Sequence, residues 1–167
     1  MESGVVGKKV LSETTASYWR NDDLDQPHLD AYGFGARKIV ISGTGDGSMV
    51  DLIRSLLKNF HQGRLIDLIL DSCKDRKTFD FHMNRIIKNY EDGLGKTSDW
   101  LYNQFSSIPD HVLRPMKQYL NSQLRRDTVV SLLGRASSIN AIFSEKKMSI
   151  FNGLMVYLLH TIGSFTY

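Results

Sequence analysis

Cysteine is almost absent. One thiol, Cys73, stands in 167 residues. That excludes an intrachain disulfide and leaves no basis for a cysteine-built metal site, and it fits a reducing, cytoplasmic setting. A long apolar run is also missing. The most apolar segment, SIFNGLMVYLLHTIGSF at 149–165, is interrupted by Asn152, Gly153 and His160. It is too short and too polar to cross a bilayer and reads as a buried helix. The N-terminal MESGVVGKKVLSE has no apolar core of signal-peptide length. Nor is charge of one sign gathered anywhere. Lys and Arg number 21 against 18 Asp and Glu, a net +3, and the basic positions from Arg64 to Lys88 alternate with Asp67, Asp71, Asp75 and Asp80. A nucleic-acid surface collects basic residues on one face, so neither nucleic acid nor a membrane is the expected partner.

The common catalytic signatures are missing as well. The five histidines, His28, His61, His82, His111 and His160, form no i, i+4 pair with a carboxylate, so no metal site is expected. No Gly-x-Ser-x-Gly elbow occurs. No catalytic residue can be assigned. His160, on the apolar C-terminal segment, reads as a satisfied core or edge histidine. Asp51 and Arg54, at i, i+3, read as a solvated surface contact.

What the chain does have is an ordinary globular composition, 41% hydrophobic and 23% charged, and one dense local pattern. In KIVISGTGDGSMVDLIR (38–54), a short β-branched run meets Gly43, Gly45 and Gly47, and a helical pattern follows with no linker. Residues 38–42 are continuous in apolar character and predict a parallel strand covered on both faces. Met49, Leu52, Ile53, Leu56, Leu57 and Phe60 recur at helical spacing, with Gly63 as the stop. From 64 to 125 the pattern is helix after helix. Leu65, Ile66, Ile69 and Leu70 form one stripe, and Phe79, Met83, Ile86, Ile87 and Tyr90 form another. A break follows at DGLG (92–95). Then comes a helix capped from Thr97, Ser98 or Asp99, and another opening near Pro109. DTVVSLL (127–133) predicts a second strand, ending at Gly134-Arg135. A short turn or helix leads to a basic break at Lys146-Lys147, then to a buried helix over 149–162. SFTY has the composition to begin a third strand. Residues 1–36 read as an extended lead-in that packs Tyr18 and Trp19 against a neighbour.

A strand that turns sharply into a helix leaves the first helical N–H groups unpaired, at the positive end of the macrodipole. Phosphate is the natural guest. Gly43 permits the tight turn and Gly45 lets a pyrophosphate approach the backbone. Ser48 occupies the third position of the dinucleotide fingerprint, where Gly or Ala is usual. A Walker loop is excluded because no Lys follows in the required place. The plain alternative is a tight turn that holds nothing. Asp46 is an electrostatic misfit inside an anion-binding turn. It would either cap the helix by accepting backbone N–H bonds or serve a cationic ligand, such as a polyamine or a sulfonium. The spacing Gly43, Gly45, Gly47 also matches methyltransferase-like turns, and GTGDG resembles the turn of the spermidine synthases. The former usually carry an acid where this chain has Ile41. The latter need an acid at the end of a second strand roughly 20 to 25 residues on. The only segment in range, RLIDLILD (64–71), has helical spacing.

YWRNDDLDQP followed by KIVISGTGDGSMVDLIR resembles a segment of bacterial FAD/NAD(P)-binding flavoproteins, and more distantly the pyridine-nucleotide domain of flavin-dependent monooxygenases. TVVSLLGRASSINAIF and FNGLMVYLLHTIGSFTY are similar to later parts of that domain. The resemblance implies an α/β fold, with a short parallel Rossmann-like sheet of two to four strands flanked by helices over 37–167. It leaves 62–125 as a helical insertion between the first helix and the second strand. It makes Gly43, Thr44, Gly45, Asp46, Gly47 and Ser48 the pyrophosphate turn and 128–133 the second strand. Arg135 then stands where an arginine pairs with a 2′-phosphate and favours NADP, unless it is an ordinary solvated loop arginine. The family's FAD fingerprint has no counterpart in VVGKKVLSE. The resemblance therefore implies an incomplete domain, with FAD only on additional sequence and a homo-oligomer or partner chain completing the sheet. Three functions are expected, in order. The first is an NADP-like nucleotide-binding domain of a flavoprotein oxidoreductase, not catalytic alone. The second is an S-adenosylmethionine-dependent or spermidine-synthase-like transferase. The third is a helical interaction module with a vestigial glycine turn.

Overall fold

Two six-residue strands set the frame. In the computed structural model, residues 37–58, 60–93, 99–143 and 148–167 are described. Strand β1 (Arg37–Ser42) lies parallel to β2 (Thr128–Leu133), in register from Arg37 opposite Thr128 to Ser42 opposite Leu133. Between them run α1 (Asp46–Leu56), α2 (Gln62–Ser72), α3 (Arg76–Glu91), α4 (Trp100–Ser106) and α5 (Asp110–Gln123). After β2 come the single turn α6 (Ile139–Ile142) and α7 (Ile150–Thr161). Beyond α7, Thr166 forms a parallel bridge with Ser131. It accepts from Leu132 N at 2.8 Å and donates to Val130 O at 3.1 Å, on the edge of β2 away from β1. The SFTY segment thus makes a single rung of a third parallel strand. The result is a mixed α/β fold dominated by helices, with both strands near the expected places and five described helices between them. No described helix is long and apolar enough to cross a membrane.

The strands depart from expectation on one face. Period-two alternation puts Ile39, Ile41, Val130 and Leu132 on one side, where α1 packs against both strands. On the other side Val40, Val129 and Leu133 are 62%, 50% and 55% exposed. A continuous apolar run predicted cover on both faces. Here the described helices cover one, so flanking by helices holds on that side only. The lead-in 1–36, with Tyr18 and Trp19, and the Lys146-Lys147 break lie outside the described residues.

The helices form because their apolar positions recur every three or four residues. Met49, Leu52, Ile53 and Leu56 of α1 are buried, as are Phe79, Met83 and Ile86 of α3 and Val112, Leu113, Met116 and Leu120 of α5. Asp75 caps α3 by accepting from Thr78 N at 3.1 Å. Gly93, at φ +73°, turns the chain out of that helix. Asp99 precedes α4 without a side-chain cap bond, and Thr97 and Ser98 lie outside the described residues. Pro109 immediately precedes α5. Two expectations fail locally. The first helix stops at Leu56, well before Gly63, because the extended Leu57 is captured by a bridge to Leu124 and Lys58 N donates to Gln123 O at 2.8 Å. Gly63 then falls inside α2, and Phe60 packs against the core from outside any helix. The second concerns Arg54. It is 6% exposed rather than solvated, with Asp51 3.8 Å away, because α1 is enclosed by neighbouring elements on that side too.

Helix α7 runs through the core, packed against α1, α4 and α5. Residues Gly153–Leu159 of α7 are buried without interruption. The ring of Phe105 lies 5.7 Å from that of Tyr157 and 6.3 Å from that of Phe143. At the rim, Tyr102 Oη and His160 Nδ1 are 3.2 Å apart. His160 is therefore a satisfied edge histidine, as its sequence position implied. Burial holds its imidazole below the ordinary range. His82 on α3 is shifted the same way, by burial first and then by Arg85. Both imidazoles bind protons less readily folded than unfolded. Their contribution is thus complete above the unfolded value of about 6.5 and is lost as pH falls below it. Urea unfolding midpoints should drop between pH 7 and pH 5, and a His82→Asn, His160→Asn double variant should show a flatter dependence over that window. An unchanged slope in the variant would remove these residues from the acid response. The depressed carboxyls of Asp75 and Asp110 titrate lower and do not interfere.

Candidate functional site

Parallel pairing brings the carboxyl ends of β1 and β2 to the same edge, and the chain opens there. Gly43 N donates to Leu133 O at 2.8 Å, so the ladder continues one rung past β1 before the turn begins. Gly43 then adopts φ +110°, where only glycine is unstrained. A Cβ there would lie 2.8 Å from Ser48 Oγ. That hydroxyl donates back to Ser42 O at 3.2 Å and closes the turn.

Gly45 is different. It sits at the N-cap of α1 with φ −82° and ψ 171°, which any residue adopts, and a Cβ there would meet nothing within 4 Å. Neither backbone conformation nor packing inside the chain requires glycine at this position. What its missing side chain preserves is open space in front of the helix.

That space is a crevice of about 540 Å³ lined by Ser42, Gly43, Thr44 and Gly45 from the first turn and by Leu133, Gly134 and Arg135 from the second. The volume lies within the range of roughly 300 to 1,000 Å³ common for small-molecule sites. Gly134 makes the junction of the two turns possible. A Cβ on it would come within 2.8 Å of Thr44 Cγ2 and 2.6 Å of Tyr167 Oη. The same tyrosine hydroxyl donates to Ala136 O at 2.8 Å, which pins the loop beyond Arg135.

The electrostatics resolve the misfit at Asp46. Its carboxylate neither caps α1 nor enters the crevice. Asp46 Oδ1 instead accepts from Ser149 N at 2.8 Å and from Asn152 Nδ2 at 2.7 Å, at the start of α7. α1 is left without a side-chain cap. The N–H groups of Asp46, Gly47 and Ser48 have no hydrogen-bond partner among the described residues. At the opposite wall Arg135 is exposed.

Of the residues expected from sequence, Gly43, Thr44, Gly45 and Arg135 are brought together in one crevice. Asp46, Gly47 and Ser48 do not line it. The first two open the helix behind it, and Ser48 is spent on closing the turn. Sequence reasoning missed Ser42, Leu133, Gly134 and the supporting Tyr167. The Gly-Arg pair ending an apolar run was a usable signal for Gly134. Tyr167 offered none, since nothing local indicates where the end of the chain returns.

No family model, no curated protein and no solved structure matches this chain.

The two glycines should separate cleanly on substitution. Gly43→Ala should lower unfolding free energy by about 1 to 2 kcal/mol, from left-handed strain and the Ser48 contact. Gly45→Ala should leave it unchanged or slightly raised. Urea denaturation of the two variants beside the parent checks this, and equal losses would mean that Gly45 serves the fold.

Proposed function

We propose that the crevice at the ends of β1 and β2 binds the phosphates of an NADP-like nucleotide. In this reading the chain is the nucleotide-binding domain of a flavoprotein oxidoreductase. The observation that carries the reading is Gly45: a glycine that the described packing does not need, at the mouth of a helix whose first N–H groups have no partner among the described residues. Backbone amides at a helix N-terminus bind a pyrophosphate through directed hydrogen bonds and through the dipole behind them. Arg135, across the crevice, supplies a planar cation suited to a 2′-phosphate. The outward course of Asp46 supports the same reading, because it takes the nearest carboxylate out of the anion's path.

The transferase reading is less well supported. Ile41, standing where such sites usually carry an acid, is buried in the core. RLIDLILD lies in the helical stretch of α2 rather than on a strand, and Asp46 is already engaged. The role proposed for this chain is binding and orienting the nucleotide. Hydride transfer would further need a flavin, on additional sequence or on a partner.

Thermal shift assays with NADPH, NADH, S-adenosylmethionine and methylthioadenosine test the assignment. NADPH at about 100 times its dissociation constant should raise stability by about 2.7 kcal/mol. Arg135→Asp should erase the preference for NADPH over NADH. Gly45→Asp should abolish binding of both while the protein stays folded. Silence from both pyridine nucleotides would sink the proposal.

A further inference from the structure

A second cavity lies at the far end of α1. At about 1.5 Å per residue, the 11 residues of that helix separate the two openings by roughly 16 Å. This cavity measures about 280 Å³ and is formed where the segment between α1 and α2 crosses α5. Its floor is apolar, with Leu57 1% and Leu65 8% exposed. Its backing is fixed by the Leu57–Leu124 bridge, by Lys58 N donating to Gln123 O, and by Arg125 Nε donating to Leu57 O at 3.1 Å. Two aromatic rings, Phe60 and Tyr119, stand in the lining, both half-buried.

The charged lining has one sign only. Lys58 and Arg64 contribute it, with the imidazole of His61 beside them, and no carboxylate among the described residues does. None of the three makes a side-chain hydrogen bond or ion pair among the described residues. Elsewhere on the surface Arg76 is paired with Asp80 at 2.7 Å and Arg114 with Asp110. Unpaired cations around an apolar, aromatic-lined hollow select for a guest with a flat apolar body and an acidic group. The volume suffices, since a cavity of about 150 Å³ accepts benzene.

We propose that this cavity binds small aromatic acids, the ring lying between Phe60 and Tyr119 over Leu57 and Leu65 and the acid facing Lys58, His61 and Arg64. The site is independent of the nucleotide crevice, and its test does not depend on that crevice being occupied.

Titration of the full chain by calorimetry and by amide-resolved NMR, with benzoate and phenyl phosphate as probes, decides the matter. Acetate and inorganic phosphate control for charge without a ring, and phenol controls for a ring without charge. Both aromatic acids should bind saturably, with shifts centred on Phe60, Leu65 and Tyr119, and each should bind more tightly than its controls. A Lys58→Gln, Arg64→Gln variant, altered only at exposed side chains, should weaken them by about tenfold or more. Gly45→Asp should leave them unaffected. The proposal is overturned by any of three results: no saturable binding at millimolar concentrations, controls that bind as well as the aromatic acids, or undiminished affinity in the double variant.

Discussion

The parallel pairing of β1 with β2 is the constraint from which the crevice follows. Two parallel strands end at the same edge of a sheet, so whatever turns follow them must share the same space. The rung from Gly43 to Leu133 carries that pairing to the last possible residue. It sets the glycine turn directly against Gly134 and Arg135. An antiparallel arrangement of the same strands would have placed them at opposite ends. The geometry of the candidate site is thus a property of strand direction first and of side chains second.

Asp46 shows how that edge is tied to the rest of the molecule. A carboxylate at the first turn of a helix ordinarily stabilises its own N–H groups. Here it reaches Ser149 and Asn152 instead, joining the start of α1 to the start of α7. One side chain therefore orients a helix that covers the sheet relative to the helix that fills the core. With the carboxylate engaged there, α1 has no side-chain cap of its own. A structural contact and an uncapped helix end arise from the same pair of hydrogen bonds.

The strands, the order of helices and the glycine turn were legible because their signals are local. Each rests on spacing within a dozen residues or on a glycine between two periodic runs. What stayed hidden was long-range. The apolar run KIVIS shows that a strand is buried somewhere, not which of its faces is left bare. The stop after Leu56 depends on Leu124, far along the chain. The partners of Asp46 lie more than 100 positions away. Within the site, the turn residues were readable, whereas Tyr167 and the closing role of Ser48 emerge only once the two strand ends meet.

The separation of β1 from its partner strand among the described residues also has a consequence during synthesis. At about 5 to 20 residues per second, a ribosome needs seconds to deliver β2 after β1 has emerged. Throughout that interval Ile39, Val40 and Ile41 lack the parallel pairing with β2, while α2, α3, α4 and α5 leave the exit tunnel with their local contacts available. Contacts close in sequence carry a smaller loop-closure cost than the β1–β2 pairing, which favours the helical stretch in that interval. The nascent strand must wait for β2 before the two-stranded ladder can close.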